Sequence, residues 1–292
     1  MKKALAVLLL LALSAGACSA EGEAPAKVVE GVLAYSNMSV EEYAEFTSEE
    51  LSPDIVVDFI DYKLVDPRYS VFMKVPAGTY EYFDSISEMI MALDAGKITR
   101  MELAQPVGNY FLSQSSNSRK YIPYMYTQGV VYHLSMGFFE GSKWFEPFNS
   151  TIKAMNEDDT LLLLKAKYVL DSARTELTPI TFEKFPDAET VKIAVTGDMP
   201  PIDYIAADGT PAGFNTAMLA EIARRLKVNI ELVSINAGAR AAALSSGRAD
   251  GVFWFWYDKQ TKTPRDIPQG AVLTEPYYSY DTLMYIGKRI HK

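Results

Sequence analysis

The sequence predicts an α/β protein built on parallel sheet. Two observations carry this. Residues 191–256 read strand, helix, strand, helix, strand, and that order implies parallel strands joined by right-handed crossovers. A second helix–glycine–strand unit lies upstream, where Ala92-Leu93-Asp94-Ala95-Gly96-Lys97 echoes Ala243-Leu244-Ser245-Ser246-Gly247-Arg248. Ligands of such sheets bind beyond the carboxyl ends of the strands. The loop Gly197–Tyr204 and the segment Trp254–Asp258 are therefore the first places to look for a site.

Along the chain, Val29–Tyr35 (VEGVLAY) reads as a short apolar strand. Ser39 with Glu42 fits a capping box, in which a side chain and a backbone N–H satisfy each other at a helix start. Val40, Tyr43, Thr47 and Leu51 then recur at helical spacing. The strand-like pieces IVVDFI and YSVFMKV follow, and residues 52–79 have no assigned place. YEYFDS reads as a strand, and Ser85 with Glu88 is a second capping box. Ile86, Met89, Ile90 and Leu93 form one helix face. Gly96 ends that helix, and RMELAQ is the next strand. Pro106 suits the first position of another helix, with Val107, Tyr110 and Phe111 inward. Tyr132–Phe139 reads as a strand. FNSTIKAMNEDDTLLLLKAKYVL reads as a helical pair with Phe148, Ile152 and Met155 inward.

In the last third, Val191–Thr196 alternates as a strand until Gly197, Pro200 and Pro201 break it. Met218, Leu219, Ile222, Ala223 and Leu226 share a helix face. Val228–Ile235 is a second strand. Asn236 is a candidate N-cap for an Ala-rich helix ending at Gly247. Gly251–Trp256 is apolar throughout, as a buried parallel strand should be.

The ends and the composition narrow the function. Lys2 and Lys3 precede the apolar run Ala4–Leu13, which is too short for an ordinary membrane span. Ala15-Gly16-Ala17 then lead into Cys18, the only cysteine. The arrangement resembles a bacterial lipoprotein signal in residues 1–18, with Cys18 as the lipidated residue; an ordinary secretory signal is the alternative. Residues 19–27 are small and polar and read as a tether. A single cysteine rules out an internal disulfide or a cysteine metal site, and two histidines, His133 and His291, are too few for a histidine cluster. No cofactor is expected. The net charge of −9 argues against nucleic acid as a partner.

Several separated elements of residues 191–287 occur in one order: VKIAVTGDMPPIDYIAADGTPAGFNTAMLAEIARRL, ALSSGRADGVFW and TEPYYSYDTLMYIGK. Together they resemble the first lobe of bacterial extracellular solute-binding proteins of the polar amino acid type, family 3. The stretch FDSISEMIMALDAGKITRMELAQPVGNYFL resembles the second lobe of that family. The resemblance implies a two-lobed periplasmic-binding-protein type II fold with its lobes in circularly permuted order. Residues 28–131 would form lobe two, 132–189 the return strand and closing helices, and 190–292 lobe one. A fragment of a tandem array, completed by a second chain, is the rival. The resemblance also implies a location outside the cytoplasm, a small-molecule ligand and an ABC-type permease as partner.

In amino acid-binding members an Arg holds the ligand carboxylate and an acidic residue holds the ammonium. Here Arg265 follows Thr263 one residue too early for the usual Thr-x-x-Arg pattern, and Gln105 stands at the acidic position. Gln brings no charge. A buried ion pair missing one partner costs roughly 3–5 kcal/mol, so a standard zwitterion pocket is disfavoured. The Ser36–Ser39 turn offers backbone N–H groups at a helix start for an anion; a plain N-cap is the bland reading. Asp198 and Asp203 flank the Pro-Pro loop and are candidates for an amino group, or else solvated turn residues. Tyr204, Trp254 and Trp256 are candidate aromatic walls, with core packing the alternative. Strand alternation puts Trp254 and Trp256 on one face. The resulting expectation is a lipid-anchored solute-binding protein, with an envelope sensor on the same fold as the second reading. No nucleophile–base pair, metal set or phosphate loop speaks for an enzyme.

Overall fold

Local chemistry sets the first α/β unit. Its strands are β1 (Val29–Leu33), β2 (Val56–Asp58), β3 (Val71–Phe72) and β4 (Thr79–Phe83). The computed structural model describes residues 29–33, 56–58, 71–72, 79–172, 180–258 and 268–289. Helix α1 (Ile86–Asp94) starts at the capping box read from sequence: Glu88 N–H donates to Ser85 Oγ at 3.1 Å, and the Glu88 carboxylate accepts from Asp84 N–H at 3.2 Å. Ile86, Met89 and Leu93 are buried on one face, and Gly96, with φ +73°, releases the chain into β5 (Arg100–Ala104). β1 lies between β4 and β5 and runs parallel to both. Helix α2 (Gln105–Ser113) then begins with Pro106 in its first turn and buries Val107 and Phe111. A short helix α3 (Ser115–Lys120) follows.

The strand β6 is longer than its sequence signal. It runs through Tyr121–Phe139, where the apolar pattern marks only its second half. Pro123 weakens the reading of the first half, since Pro donates no ladder hydrogen bond. The structure accommodates it beside a register shift, opposite Ile286. At about 3.3 Å per residue, the 19 residues of β6 reach across both halves of the molecule. The strand-like pieces that had no place also find one here, because β2 pairs with β6 and β3 pairs with β2.

Helix α4 (Phe145–Glu157) buries Phe148, Ile152 and Met155 completely. Helix α5 (Thr160–Lys165) continues as a π-helical turn through Ala166–Leu170. The second α/β unit begins at β7 (Thr190–Val195), followed by the small antiparallel sheet of β8 (Asp198–Met199), β9 (Asp203–Ile205) and β10 (Pro211–Ala212). Helix α6 (Phe214–Leu226) and β11 (Asn229–Ser234) come next. The Ala-rich segment departs from expectation. Ala237–Ala239 is a 3-10 turn, the helix proper is α7 (Arg240–Ser245), and Asn236 makes no side-chain cap. Gly238, a poor helix former, falls where the helix would have started. β12 (Gly251–Asp258), β13 (Ala271–Leu273) and β14 (Tyr278–Lys288) complete the described elements.

The main sheet runs β11-β7-β12-β6-β14-β5-β1-β4. Each unit repeats one plan. A central strand, β1 or β7, is flanked in parallel by two later ones, β4 and β5 or β11 and β12, and an antiparallel strand lies beyond β5 or β12. That fourth strand is β6 beside β12 in one unit and β14 beside β5 in the other. β6 and β14 pair with each other along their length. Leu283–Gly287 therefore lie in the first unit, although the sequence groups residues 190–292 together.

Arg225 ties α6 to the α4–α5 junction. It pairs with Asp158 at 2.9 Å and Glu221 at 2.6 Å, and donates to Thr160 Oγ1 at 2.8 Å. Hydrogen bonds from Thr160 and Arg225 hold the Asp158 carboxyl down from 3.8 to about 2. A carboxyl depressed by folding contributes stability above its unfolded value, and loses it as pH falls through the folded one. The stability gap between wild type and Asp158→Asn should be full above about pH 3.8 and close by about pH 2. Urea denaturation across that range measures it.

Candidate functional site

The loop leaving β7 is rigid by construction. Asp203 is 4% exposed, and its Oδ2 accepts from Thr196 N–H at 3.1 Å, Thr196 Oγ1 at 3.3 Å and Gly197 N–H at 3.3 Å. Burial pushes its carboxyl up, against those bonds and the attraction of Arg240. Gly213 is required by contact and by φ: at +97°, an added Cβ would sit 2.7 Å from the Pro201 carbonyl oxygen. The same carbonyls of Pro201 and Ile202 accept from Phe214 and Asn215 at 3.0 and 2.8 Å. The first donors of α6 are thus used inside the loop.

Asp198 and Tyr204 project from this loop toward the other unit. Strand β8 packs on α1, and the Asp198 side chain on it is half-buried. Burial raises its proton affinity, and Arg240 opposes that. The Tyr204 ring lies 6.0 Å from that of Tyr110 on α2. Burial first, then Tyr110, pushes the Tyr204 hydroxyl up to about 12.

Gln105 opens α2 at the carboxyl end of β5. With Tyr110, Lys165, Tyr278, Tyr280 and Asp281 it lines a cleft of about 270 Å³ beside the crossing strand β14. Lys165 Nζ stands 4.6 Å over the Tyr278 ring. Residues from both units meet there.

The candidate residues thus divide. Asp198, Asp203 and Tyr204 are brought together on one loop, and Gln105 faces the cleft from the opposite unit. Asp203 holds its own loop, so its Oδ2 is already engaged. The backbones of Trp254 and Trp256 pair with Ser135 and His133 of β6. Ser36, Arg265 and Cys18 lie outside the described residues, as do the Ser39–Glu42 capping box and His291. His133 is a strand residue, with Nδ1 2.7 Å from Ser279 Oγ. Among the described residues there is no cluster of His, Cys, Asp and Glu fit for a metal ion. No helix there is long and apolar enough to cross a membrane.

Sequence reasoning missed Thr196, Tyr110 and Arg240 as members of the site. Tyr110 was read as inward from helical periodicity alone. Arg240 lay inside an Ala-rich run whose helix starts at it rather than before it.

Residues 191–285 match the family of bacterial extracellular solute-binding proteins, family 3. The match covers about a third of the chain. The matched segment begins one residue into β7 and ends within β14, so it covers the second α/β unit and most of the crossing strand. No curated protein matches the chain. Among solved structures, a zinc-bound ligand-binding component of an ABC-type import system from Staphylococcus aureus is similar at 11% identity and TM-score 0.41, over 89% of this chain and 65% of that one. The chain therefore spans about two thirds of that protein's length. The alkanesulfonate-binding protein from Xanthomonas axonopodis pv. citri, bound to MOPS, is similar at 9% identity and TM-score 0.38, over 92% and 67%. A phosphate-binding protein from Streptococcus pneumoniae TIGR4 is similar at 10% identity and TM-score 0.33, over 89% and 88%.

Removing the Asp203 carboxylate leaves the Thr196 and Gly197 donors buried without a partner. Each such loss costs about 1–3 kcal/mol. Asp203→Ala should lower unfolding stability by about 2–4 kcal/mol in urea, far more than the exposed Asp208→Ala.

Proposed function

We propose that the chain is an extracytoplasmic solute-binding protein that captures a small polar ligand between two lobes. One observation carries the reading. Two α/β units with the same strand order present the carboxyl-end loops of their strands to each other, across a shared pair of crossing strands. That is where ligands of open α/β sheets bind. The family 3 match of the second unit supports the same reading. The order of the units, relative to a family whose first lobe comes first, favours a circular permutation. Close termini in compact domains make such a rotation tolerable.

Asp198, Tyr204, Gln105, Trp254 and Trp256 are the proposed ligand contacts, with Tyr110 added from the structure. Ser36 and Arg265 remain candidates beside them. The ligand class that fits is small and polar, offered amide and hydroxyl groups from one lobe and a carboxylate and a ring from the other. Handing that ligand to an ABC-type permease, with the chain held at a membrane through lipid on Cys18, completes the proposal. Its chemistry is binding and release rather than catalysis. Closure needs a ligand that touches both lobes, since only differential affinity shifts an open–closed balance.

A thermal-shift screen of the lipid-free protein against amino acids, sulfonates and phosphate should return a stabilising ligand. Calorimetry should then show Trp254→Ala and Tyr204→Ala each weakening that ligand about tenfold or more, one 1.4 kcal/mol step, with the fold intact by circular dichroism. Unchanged affinity in both variants would remove this cleft as the site.

A further inference from the structure

Lysine carries a strongly hydrated charge and belongs at the surface. Among the described lysines, Lys165 alone is not exposed. It has no ion pair among the described residues, and its ammonium rests 4.6 Å over the buried ring of Tyr278. Nearby cations are matched: Arg225 by Asp158 and Glu221, Arg224 by Glu221. A half-buried charge without a counter-ion is unfavourable, and an aromatic face offsets only part of that cost. The backbone here is also unusual. Helix α5 ends at Lys165, and the π-helical turn Ala166–Leu170 is closed by Asp171 N–H donating to the Ala166 carbonyl at 3.0 Å. Such turns are rare and frequent at functional sites. Lys165, Val169 and Leu170 all line the cleft beside β14, and Leu170 is 64% exposed there. Gln105 and Asn109 of α2 line it too, and neither makes a side-chain hydrogen bond among the described residues.

We propose that this cleft takes a small organic monoanion, a carboxylate or sulfonate on a flat apolar body, and that Lys165 is its charge anchor. This deepens the solute-binding reading above and rests on it. The ammonium has three donors and no acceptor, so the group that satisfies it is an anion or acceptor supplied from outside. Tyr278 holds the ammonium in place without neutralising it. The body of the ligand is matched by the rings of Tyr110 and Tyr280 and by Val169 and Leu170, whose exposed surface it would cover. The residues that α2 contributes to the cleft carry no charge, so that wall presents no carboxylate to oppose an anion, and the Gln105 and Asn109 amides can donate to it. Asp281 of β14 limits the ligand's charge. It lines the cleft as an exposed side chain, with Oδ1 accepting from Thr282 Oγ1 at 2.9 Å. One carboxylate near one ammonium tolerates a monoanion and repels a dianion such as phosphate. The volume of about 270 Å³ lies at the small end for ligand sites and suits a single small molecule rather than a peptide.

Calorimetry on the lipid-free protein tests this with phenylacetate, benzenesulfonate, the neutral phenylacetamide and inorganic phosphate. Both monoanions should bind, and phenylacetamide should bind about tenfold or more weakly, for want of a charge-assisted hydrogen bond. Phosphate should bind more weakly than either monoanion. Lys165→Met keeps an apolar stem on Tyr278 and removes the charge. It should weaken phenylacetate about ten- to hundredfold, as expected for losing a hydrogen bond to a charged group, and leave phenylacetamide unchanged. Lys165→Arg should keep the preference for the anion. Lys167→Met, exposed and outside the cleft, should change neither affinity. Phenylacetamide binding as tightly as phenylacetate overturns the anchor, and so does a failure of both monoanions to bind. A Lys165→Met protein, folded by circular dichroism, that keeps the preference overturns it too. Phosphate binding tighter than the monoanions overturns the monoanion class. Ligand capture between the lobes fails differently, through affinity that survives Tyr204→Ala and Trp254→Ala. A screened ligand weakened by those two variants but untouched by Lys165→Met keeps the capture and overturns Lys165.

Discussion

The antiparallel pairing of β6 with β14 is the constraint on which the rest depends. Each α/β unit has a parallel sheet edge at its third strand, β12 or β5, and each edge docks on one member of this pair. Without the ladder the units are two half-sheets with exposed edges, which proteins avoid leaving open. The close contacts at its margins are specific. Gly251 lies where a Cβ would come 2.6 Å from the Phe138 ring, and Gly108 brings α2 against Met284. β14 shifts register between Tyr280 and Thr282, where it passes from the β6 segment beside the second unit to that beside the first. Such irregularities increase local twist, which turns one unit relative to the other.

From this geometry the opposing loops follow. Strand ends that converge on a shared ladder must face each other, and the residues after β7 and before α1 and α2 occupy that space. Their electrostatics are a balance of burial against hydrogen bonding. Asp203 is buried, yet its carboxylate is surrounded by donors from its own loop. Asp198 is less buried, and its strand packs on helix α1 of the opposite unit. Tyr277 stands behind both, buried against the rings of Phe214 and Phe253. Burial pushes its hydroxyl well above 10. Polar groups near the cleft are thus backed by an aromatic layer that belongs to the core of the second unit.

Much of this was legible locally. The Ser85–Glu88 capping box, the Gly96 stop, the inward set Phe148, Ile152 and Met155, and the strands of residues 191–256 depend on contacts a few residues apart, and they form as read. The failures share a cause. The first half of β6 carries Pro123 and reads poorly as a strand, but pairing with β14 holds it extended. β2 and β3 lie in pieces that read as strand-like, but only the pairing of β2 with β6 and of β3 with β2 gives them a place. Tyr110 looked inward because periodicity places a side chain on a face without saying what covers that face. It covers Tyr204 from another unit.

The sequence by itself determined the α/β class, the order of elements, the parallel character of each unit and the candidate loops after β7 and β5. These follow from periodicity, capping chemistry and the glycine and proline breaks, all written within short windows of chain. Only the tertiary structure decided which halves share a sheet, that the last strand returns to the first unit, and that the strand bearing Asp198 packs on helix α1 while Asp203 turns inward. Two aspartates five residues apart look alike in sequence. They differ because Asp203 accepts from donors in its own loop, while Asp198 sits on a strand packed against helix α1 of the other unit.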